Sequence, residues 1–284
     1  MAVEVVDVFR GVFASLVTPF SGGAVDEASL ERLAARCLDG GVAGLVALGT
    51  TGEAALLAPD ERTAVLAVCR TVCDEYGVPL IVGAGAMGTE ATIAEARSLE
   101  AFADALLVVV PYYLRPSDDG VVEHFAAVGA AAQVPIIAYN VPYRTGKHLS
   151  GETLVRVLEV DGVAAVKHCP GAIDRDTLVL LAAGAGDVLA GDDAYLYPMM
   201  RLGASGGVTA SACLAPEAFA RLAEGGRELH EVLLPLVDAL FAEPSPSVLK
   251  ACLAELGVID DPAVRAPLRA PRPENVERAL KALG

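Results

Sequence analysis

Basic charge is what this chain has little of. Its 284 residues carry 21 Lys and Arg against 37 Asp and Glu, a formal net charge of −16. Binding along a nucleic-acid backbone or to an anionic membrane surface is driven by Lys and Arg, so neither partner is expected. Long apolar runs are missing too. The longest uncharged stretch, Phe125 to Tyr143, contains Gln133, Asn140 and two prolines, whereas a spanning helix needs about 20 mostly apolar residues. Glu4 and Asp7 stand where a secretory leader would be basic, and no long apolar core follows, so a cytoplasmic location is expected. The six cysteines lack metal-ligand spacing. Only Cys69 and Cys73 are close, four apart in a helical pattern with no His nearby, which reads as packed core thiols and no metal site. Neither a low-complexity linker nor a short repeat is visible. Disorder is excluded by 54% hydrophobic and 20% charged residues, since disordered chains are poor in the first and rich in the second.

What is present is an alternation of two kinds of segment. The first is short and apolar: Ala14–Pro19, Gly44–Gly49, Pro79–Gly85, Ala105–Pro111, Pro135–Asn140, Gly162–His168, Asp187–Asp192 and Gly206–Ser211. Near-continuous apolar runs of this length fit parallel strands covered on both faces. The second has helical period. Asp26 to Leu38 places Leu30, Leu33, Ala34, Cys37 and Leu38 on one stripe, closed by Gly40. After Pro59, residues Val65, Cys69, Val72, Cys73 and Tyr76 share a face, and Gly77 suits the helix end. Ser150 and Asp193 are expected N-caps. Eight strands each followed by a helix predict an α/β fold, a (β/α)8 TIM barrel over 1–224. A C-terminal helical region over 225–284 comes after it, with helices near Glu228–Ala242, Ser247–Leu256 and Pro273–Leu283. A doubly wound open sheet is the alternative, but Thr18-Pro19-Phe20 comes after the first strand where that fold usually has a phosphate loop.

In a barrel the active site lies at the C-terminal strand ends. Those ends read Thr18; Gly49-Thr50-Thr51-Gly52-Glu53; Gly85; Tyr112-Tyr113; Tyr139-Asn140; Lys167-His168; Gly191-Asp192; and Ser211. The chain has four lysines, and Lys147, Lys250 and Lys281 fall in loops or amphipathic helices where solvated lysines belong. Lys167 instead ends an uncharged strand. An ammonium group is costly to bury, and burial favours the free amine that attacks carbonyls; a lysine that snorkels or pairs with an acid at the rim is the other reading. The glycine-bounded threonine turn offers hydroxyls and N–H groups to a small anion such as a carboxylate, or is an ordinary strand-to-helix turn. Tyr139 could relay protons or be a strand-end aromatic. Arg144 could grip a carboxylate or form a surface ion pair. Glu53 is expected to stabilise a helix N-terminus. His124, His148 and His230 have no partners at recognisable spacing, and strand period turns His168 away from Lys167.

From about Gly11 to Leu268 the chain resembles the pyruvate-dependent class I aldolase family that contains dihydrodipicolinate synthase and N-acetylneuraminate lyase. The resemblance rests on GTTGE (Gly49–Glu53), PYYLRPSDDG (Pro111–Gly120), YNVPYRTG (Tyr139–Gly146), the strand-end Lys167, GDD (Gly191–Asp193) and EPSPSVLK (Glu243–Lys250). It implies that Lys167 forms a Schiff base with pyruvate, and that Thr51 and Thr50 bind the pyruvate carboxylate. Tyr139, Thr50 and Tyr113 would make a proton relay, Tyr113 reaching into a neighbouring subunit's site. Gly191 and Val208 would line the pyruvate pocket, and Arg144 would hold the carboxylate of the aldehyde partner. A homotetramer of tight dimers is implied, with no metal and no cofactor. The double threonine, the tyrosine pair and Arg144-Thr145-Gly146 resemble the synthase branch, which condenses pyruvate with L-aspartate 4-semialdehyde on the route to diaminopimelate and lysine. A lyase or aldolase with another acceptor, acting on a 2-keto-3-deoxy sugar acid or a 4-hydroxy-2-oxoglutarate, is the alternative; a catalytically silent regulatory paralogue is a remote one. Departures from the family pattern are His168 and Cys169 after the lysine, Tyr143 before the arginine, and GGVTAS in the last strand. Ala54, Pro59 and Arg62 replace polar or imidazole groups often seen at the family's lysine-feedback site, so weak or no inhibition by lysine is expected.

Overall fold

A computed structural model describes residues 9–284; Glu4 and Asp7, on which the expected location rests, lie outside them. Eight parallel strands close into a barrel in sequence order: β1 (Gly11–Ser15), β2 (Gly44–Ala47), β3 (Leu80–Ala84), β4 (Ala105–Val109), β5 (Ile136–Asn140), β6 (Val163–His168), β7 (Asp187–Ala190) and β8 (Gly206–Thr209), which pairs back with β1. Helices alternate with the strands, and helices Arg227–Leu240, Ser247–Glu255 and Pro273–Leu283 extend the C-terminus. The fold is a (β/α)8 barrel, and the closed strand order removes the open-sheet alternative. Every residue of β2 and of β5 is buried, as two-sided coverage requires of strands without alternation. Among the described residues no helix is long and apolar enough to cross a membrane. All six cysteines are buried thiols without disulfides.

The helix ends follow local chemistry. Asp26 caps helix Glu27–Asp39 by accepting from Ser29 N–H at 3.0 Å, and Ser150 caps helix Gly151–Leu158 by accepting from Thr153 N–H at 3.1 Å. Helix Pro59–Tyr76 ends at Gly77 with φ +64°, a conformation glycine adopts without strain. Two expectations need correction. The first strand is Gly11–Ser15 rather than Ala14–Pro19: pairing opens where Gly11 N–H donates to the Ser205 carbonyl at 3.2 Å, and after Leu16, whose N–H donates to the Val46 carbonyl at 3.0 Å, the chain turns into the short hairpin of Phe20–Ser21 with Ala24–Val25. Asp193 is not an N-cap: it opens a 3-10 turn, Asp193–Tyr195, and the helix Leu196–Arg201 begins after it without a side-chain cap.

By internal contacts the chain forms two compact units. One comprises the described residues up to Gly11 with 84–208; the other comprises 12–83 with 209–284. The run Gly83 to Gly88 has the G-x-G-x-x-G spacing of a phosphate loop, but its glycines serve packing. A Cβ at Gly83 would collide with the Leu48 carbonyl. Gly85 has φ +120° and donates its N–H to the Glu95 carboxylate at 2.9 Å, so a negative charge already occupies the donor that a phosphate would need.

Candidate active site

In the first unit, register decides which side chains meet. Tyr139 on β5 pairs with Lys167 on β6, and Asn140 with His168. Cross-strand partners point to one side and successive residues to opposite sides. Lys167 and Tyr139 therefore share one face: both are buried, and the Lys167 Nζ lies 4.4 Å from the centre of the Tyr139 ring. Gly191, just after β7, completes this face. A Cβ there would collide with Cys169 Sγ and come within 2.8 Å of Lys167 Cε. Burial pushes the Cys169 thiol up to about 12, so it is inert filler and not a second nucleophile. Asp192 accepts from Gly171 N–H at 2.7 Å. Burial raises its pKa, while the Gly171 hydrogen bond and the charges of Lys167 and Arg144 act against that rise. Val208, on β8 beside the β7 end, is buried.

His168 and Asn140 occupy the opposite side, as period two predicts. The Asn140 Nδ2 and His168 Nδ1 are 3.0 Å apart, and His168 Nε2 lies 3.1 Å from Thr177 Oγ1 on helix Arg175–Ala183. Burial holds the His168 imidazole down to about 4, so it is neutral and does not join the lysine.

Arg144 and Tyr143 lie on the one-turn helix Pro142–Thr145 after β5. Both are exposed, and the guanidinium carbon sits 5.2 Å from the centre of the Tyr143 ring. Tyr113 lies beyond β4 in a left-handed conformation (φ +67°) and is 80% exposed, so this chain leaves its phenol at the surface.

In the second unit, Thr50 and Thr51 sit in the turn after β2, Thr50 exposed and Thr51 buried. Here the structure corrects the reading of two charged residues. Glu53 makes no side-chain cap. It is buried and pairs with Lys250 Nζ at 2.9 Å, both side chains being wholly inaccessible. Lys250 is thus not a solvated helix lysine. Burial lowers its pKa, and Glu53 opposes that shift. Helical periodicity in Ser247–Glu255 does not reveal such a pair; the only signal for it is the Glu243–Lys250 motif.

Comparison with known proteins gives the family. The sequence profile of the dihydrodipicolinate synthetase family matches residues 8–283. The chain belongs to that family. A 4-hydroxy-tetrahydrodipicolinate synthase of Thermomicrobium roseum is 39% identical over 286 residues, covering 96% of this chain and 93% of the relative. The structure of a chloride-inhibited dihydrodipicolinate synthase from Acinetobacter baumannii complexed with pyruvate superposes with a TM-score of 0.90 at 34% identity, covering 96% and 97% of the two chains. A monomeric dihydrodipicolinate synthase variant superposes with a TM-score of 0.92 at 32% identity, covering 97% and 96%. As a member of the dihydrodipicolinate synthetase family the protein is a Schiff-base-forming, pyruvate-dependent lyase.

Proposed function

We propose that the chain condenses pyruvate with L-aspartate 4-semialdehyde to give 4-hydroxy-tetrahydrodipicolinate. The observation that carries this reading is the buried Lys167 amine over the Tyr139 ring at 4.4 Å, beside a glycine that leaves room at Lys167. Lys167 Nζ attacks the pyruvate ketone and water leaves, giving an imine. Loss of a methyl proton gives the enamine, whose carbon attacks the aldehyde carbon; the aldehyde oxygen takes up a proton. The amine of the acceptor then displaces Lys167 by transimination, and the ring closes. Tyr139, Thr50 and Tyr113 are proposed as the proton relay, Thr51 and Thr50 as ligands of the pyruvate carboxylate, and Gly191 and Val208 as the pocket wall. Arg144, exposed beside Tyr143, is proposed to take the acceptor carboxylate as a charge-assisted pair.

The exposed Tyr113 supports a homo-oligomer, a tetramer of paired dimers, in which a second copy covers that phenol. The buried, reduced cysteines fit a cytoplasmic setting. Tyr143 favours a second reading of the acceptor: its ring stands beside Arg144, where the family pattern has a small residue, so the acceptor that Arg144 receives would differ.

The test is borohydride trapping of pyruvate, read by intact mass and peptide mapping, followed by turnover with L-aspartate 4-semialdehyde and Lys167→Ala as control. Trapping at Lys167 with turnover that the substitution abolishes is expected. Trapping without turnover assigns another acceptor aldehyde, to be found by cleavage of a panel of 2-keto-3-deoxy sugar acids and 4-hydroxy-2-oxoglutarate. No trapping refutes the reading.

A further inference from the structure

The charges behind the threonine turn have no part in the chemistry above, yet they are among the most completely buried polar groups described. Lys250, on helix Ser247–Glu255, donates to Glu53 Oε1 at 2.9 Å and to the Thr18 carbonyl at 2.8 Å. The Thr18 hydroxyl donates to the Gly52 carbonyl at 2.7 Å. The second carboxylate oxygen of Glu53 accepts from Arg265 N–H at 2.9 Å. The Arg265 guanidinium donates to the carbonyls of Leu56 and Gly23 and pairs with Glu61. Lys250 and Arg265 both lie near the Phe20 ring, 4.0 and 4.3 Å from its centre.

The turn these groups hold is strained. Leu48 and Glu53, on either side of Gly49–Gly52, have φ of +53° and +54°, a region side-chain-bearing residues avoid. Such conformations persist only where the surroundings over-determine them, and they cluster at functional sites. Here three constraints do so: the Leu48 carbonyl fills the space a side chain at Gly83 would take, Thr18 holds Gly52, and Lys250 with Arg265 holds Glu53. A buried ion pair is poor evidence of net stabilisation, because desolvation opposes the attraction. Fixing one arrangement of a turn is a better account of its presence.

We propose that Thr18, Glu53 and Lys250 are positioning residues. Lys250 reaches the Gly49–Glu53 turn from helix Ser247–Glu255 and Thr18 from the segment after β1; with Glu53 they lock the turn so that Thr50 and Thr51 present their hydroxyls to the pyruvate carboxylate, and so set pyruvate affinity more than the chemistry at Lys167. This rests on the functional reading above.

Thr18→Val removes one hydroxyl from the network at nearly constant volume, and Thr18→Ser keeps it. In the full-length protein, amide exchange across residues 49–57 should be at least tenfold faster in Thr18→Val, with helix Arg175–Ala183 unchanged. KM for pyruvate should rise at least fivefold, with a smaller fall in kcat at saturating pyruvate because Thr50 also serves the proposed relay. Thr18→Ser should restore both. If Thr18→Val does not fold, the charge-neutral pair Lys250→Met with Glu53→Gln is expected to show the same split. Unchanged exchange across residues 49–57 in a folded variant overturns the proposal, as does a fall in kcat with unchanged KM for pyruvate. The exchange measurement needs no substrate. A parent protein that pyruvate and borohydride leave unmodified refutes the functional reading, and the locking of the turn still stands or falls on exchange.

Discussion

At the scale of single residues, His168 shows how one departure from the family pattern is absorbed. The Asp174 carboxylate only accepts, so the Thr177 hydroxyl donates to it at 2.9 Å. Thr177 then accepts from His168 Nε2–H, and Nδ1 accepts from Asn140; the network assigns the tautomer. Protonation at Nδ1 would set two donors face to face in a buried site. In the unfolded chain His168 takes up a proton near its ordinary 6.5, in the folded chain only near 4. Its contribution to stability is therefore complete above pH 6.5 and is lost as pH falls toward 4, on the order of 3 kcal/mol. His124, held down to about 4 by burial, adds a slope of the same sign. His168→Gln should roughly halve the loss of stability between pH 6.5 and 4.5, measured by urea unfolding; an unchanged slope would show that this histidine is not the source. Gly191 makes a steric prediction. Gly191→Ala pushes a methyl group into Cys169 Sγ and Lys167 Cε, and should slow trapping of pyruvate at least tenfold. Adding Cys169→Ala removes the harder of the two collisions and should recover part of the rate, whereas full activity in Gly191→Ala would contradict the role given to this glycine.

At the scale of elements, the start of helix Pro59–Tyr76 is coupled to the C-terminal segment. Glu61 accepts from Ala58 N–H at 2.9 Å and pairs with Arg265, whose hydrogen bonds hold its carboxyl at about 2. A depressed carboxyl stabilises the fold above its ordinary value of 4.5 and loses that contribution as pH falls toward 2. Glu61→Gln should accordingly cost about 2 kcal/mol at pH 7 and progressively less below pH 4.5, which denaturant midpoints at pH 7, 5 and 3.5 will show. The same helix begins with Pro59 and Arg62, and Ala54 precedes it; millimolar L-lysine should leave the rate unchanged, and a clear drop would restore the feedback site to this chain. These elements also mark the limits of what a sequence makes legible. All eight strands are visible as apolar runs because both faces of each are covered. The cap Ser150 is visible because capping is local chemistry. The start of β1, the turn at Asp193 and the Lys250–Glu53 pair are not. Each depends on a distant segment: where the ladder ends, how the chain continues past β7, and which helix arrives behind the threonine turn. Lys167 is legible because a lone charge ends an apolar strand, whereas Lys250 sits in an ordinary helical pattern that carries no sign of burial.

At the scale of the whole molecule, the question is whether one chain makes one complete site. Tyr113 is 80% exposed and its neighbour Leu114 64%. Tyr113 and Arg115 hold φ of +67° and +51°, and Tyr113 N–H donates to the Thr145 carbonyl at 3.2 Å. A strained loop that offers a phenol and a leucine to water is a poor arrangement for an isolated chain and a reasonable one for a surface that a second copy covers. If the relay is completed across such a contact, the site around Lys167 of one subunit uses Tyr113 of the other. Lys167→Ala and Tyr113→Phe should then each have low activity as pure proteins. Co-refolded in equal amounts, half of the dimers are mixed, and each mixed dimer contains one site with both groups intact; about one quarter of the parent's sites should return. Sedimentation at the assay concentration establishes that the variants assemble like the parent. Recovery near that fraction places Tyr113 in the partner's site. A mixture no more active than the average of its two components confines the relay to a single chain, and the exposure of Tyr113 then needs another cause.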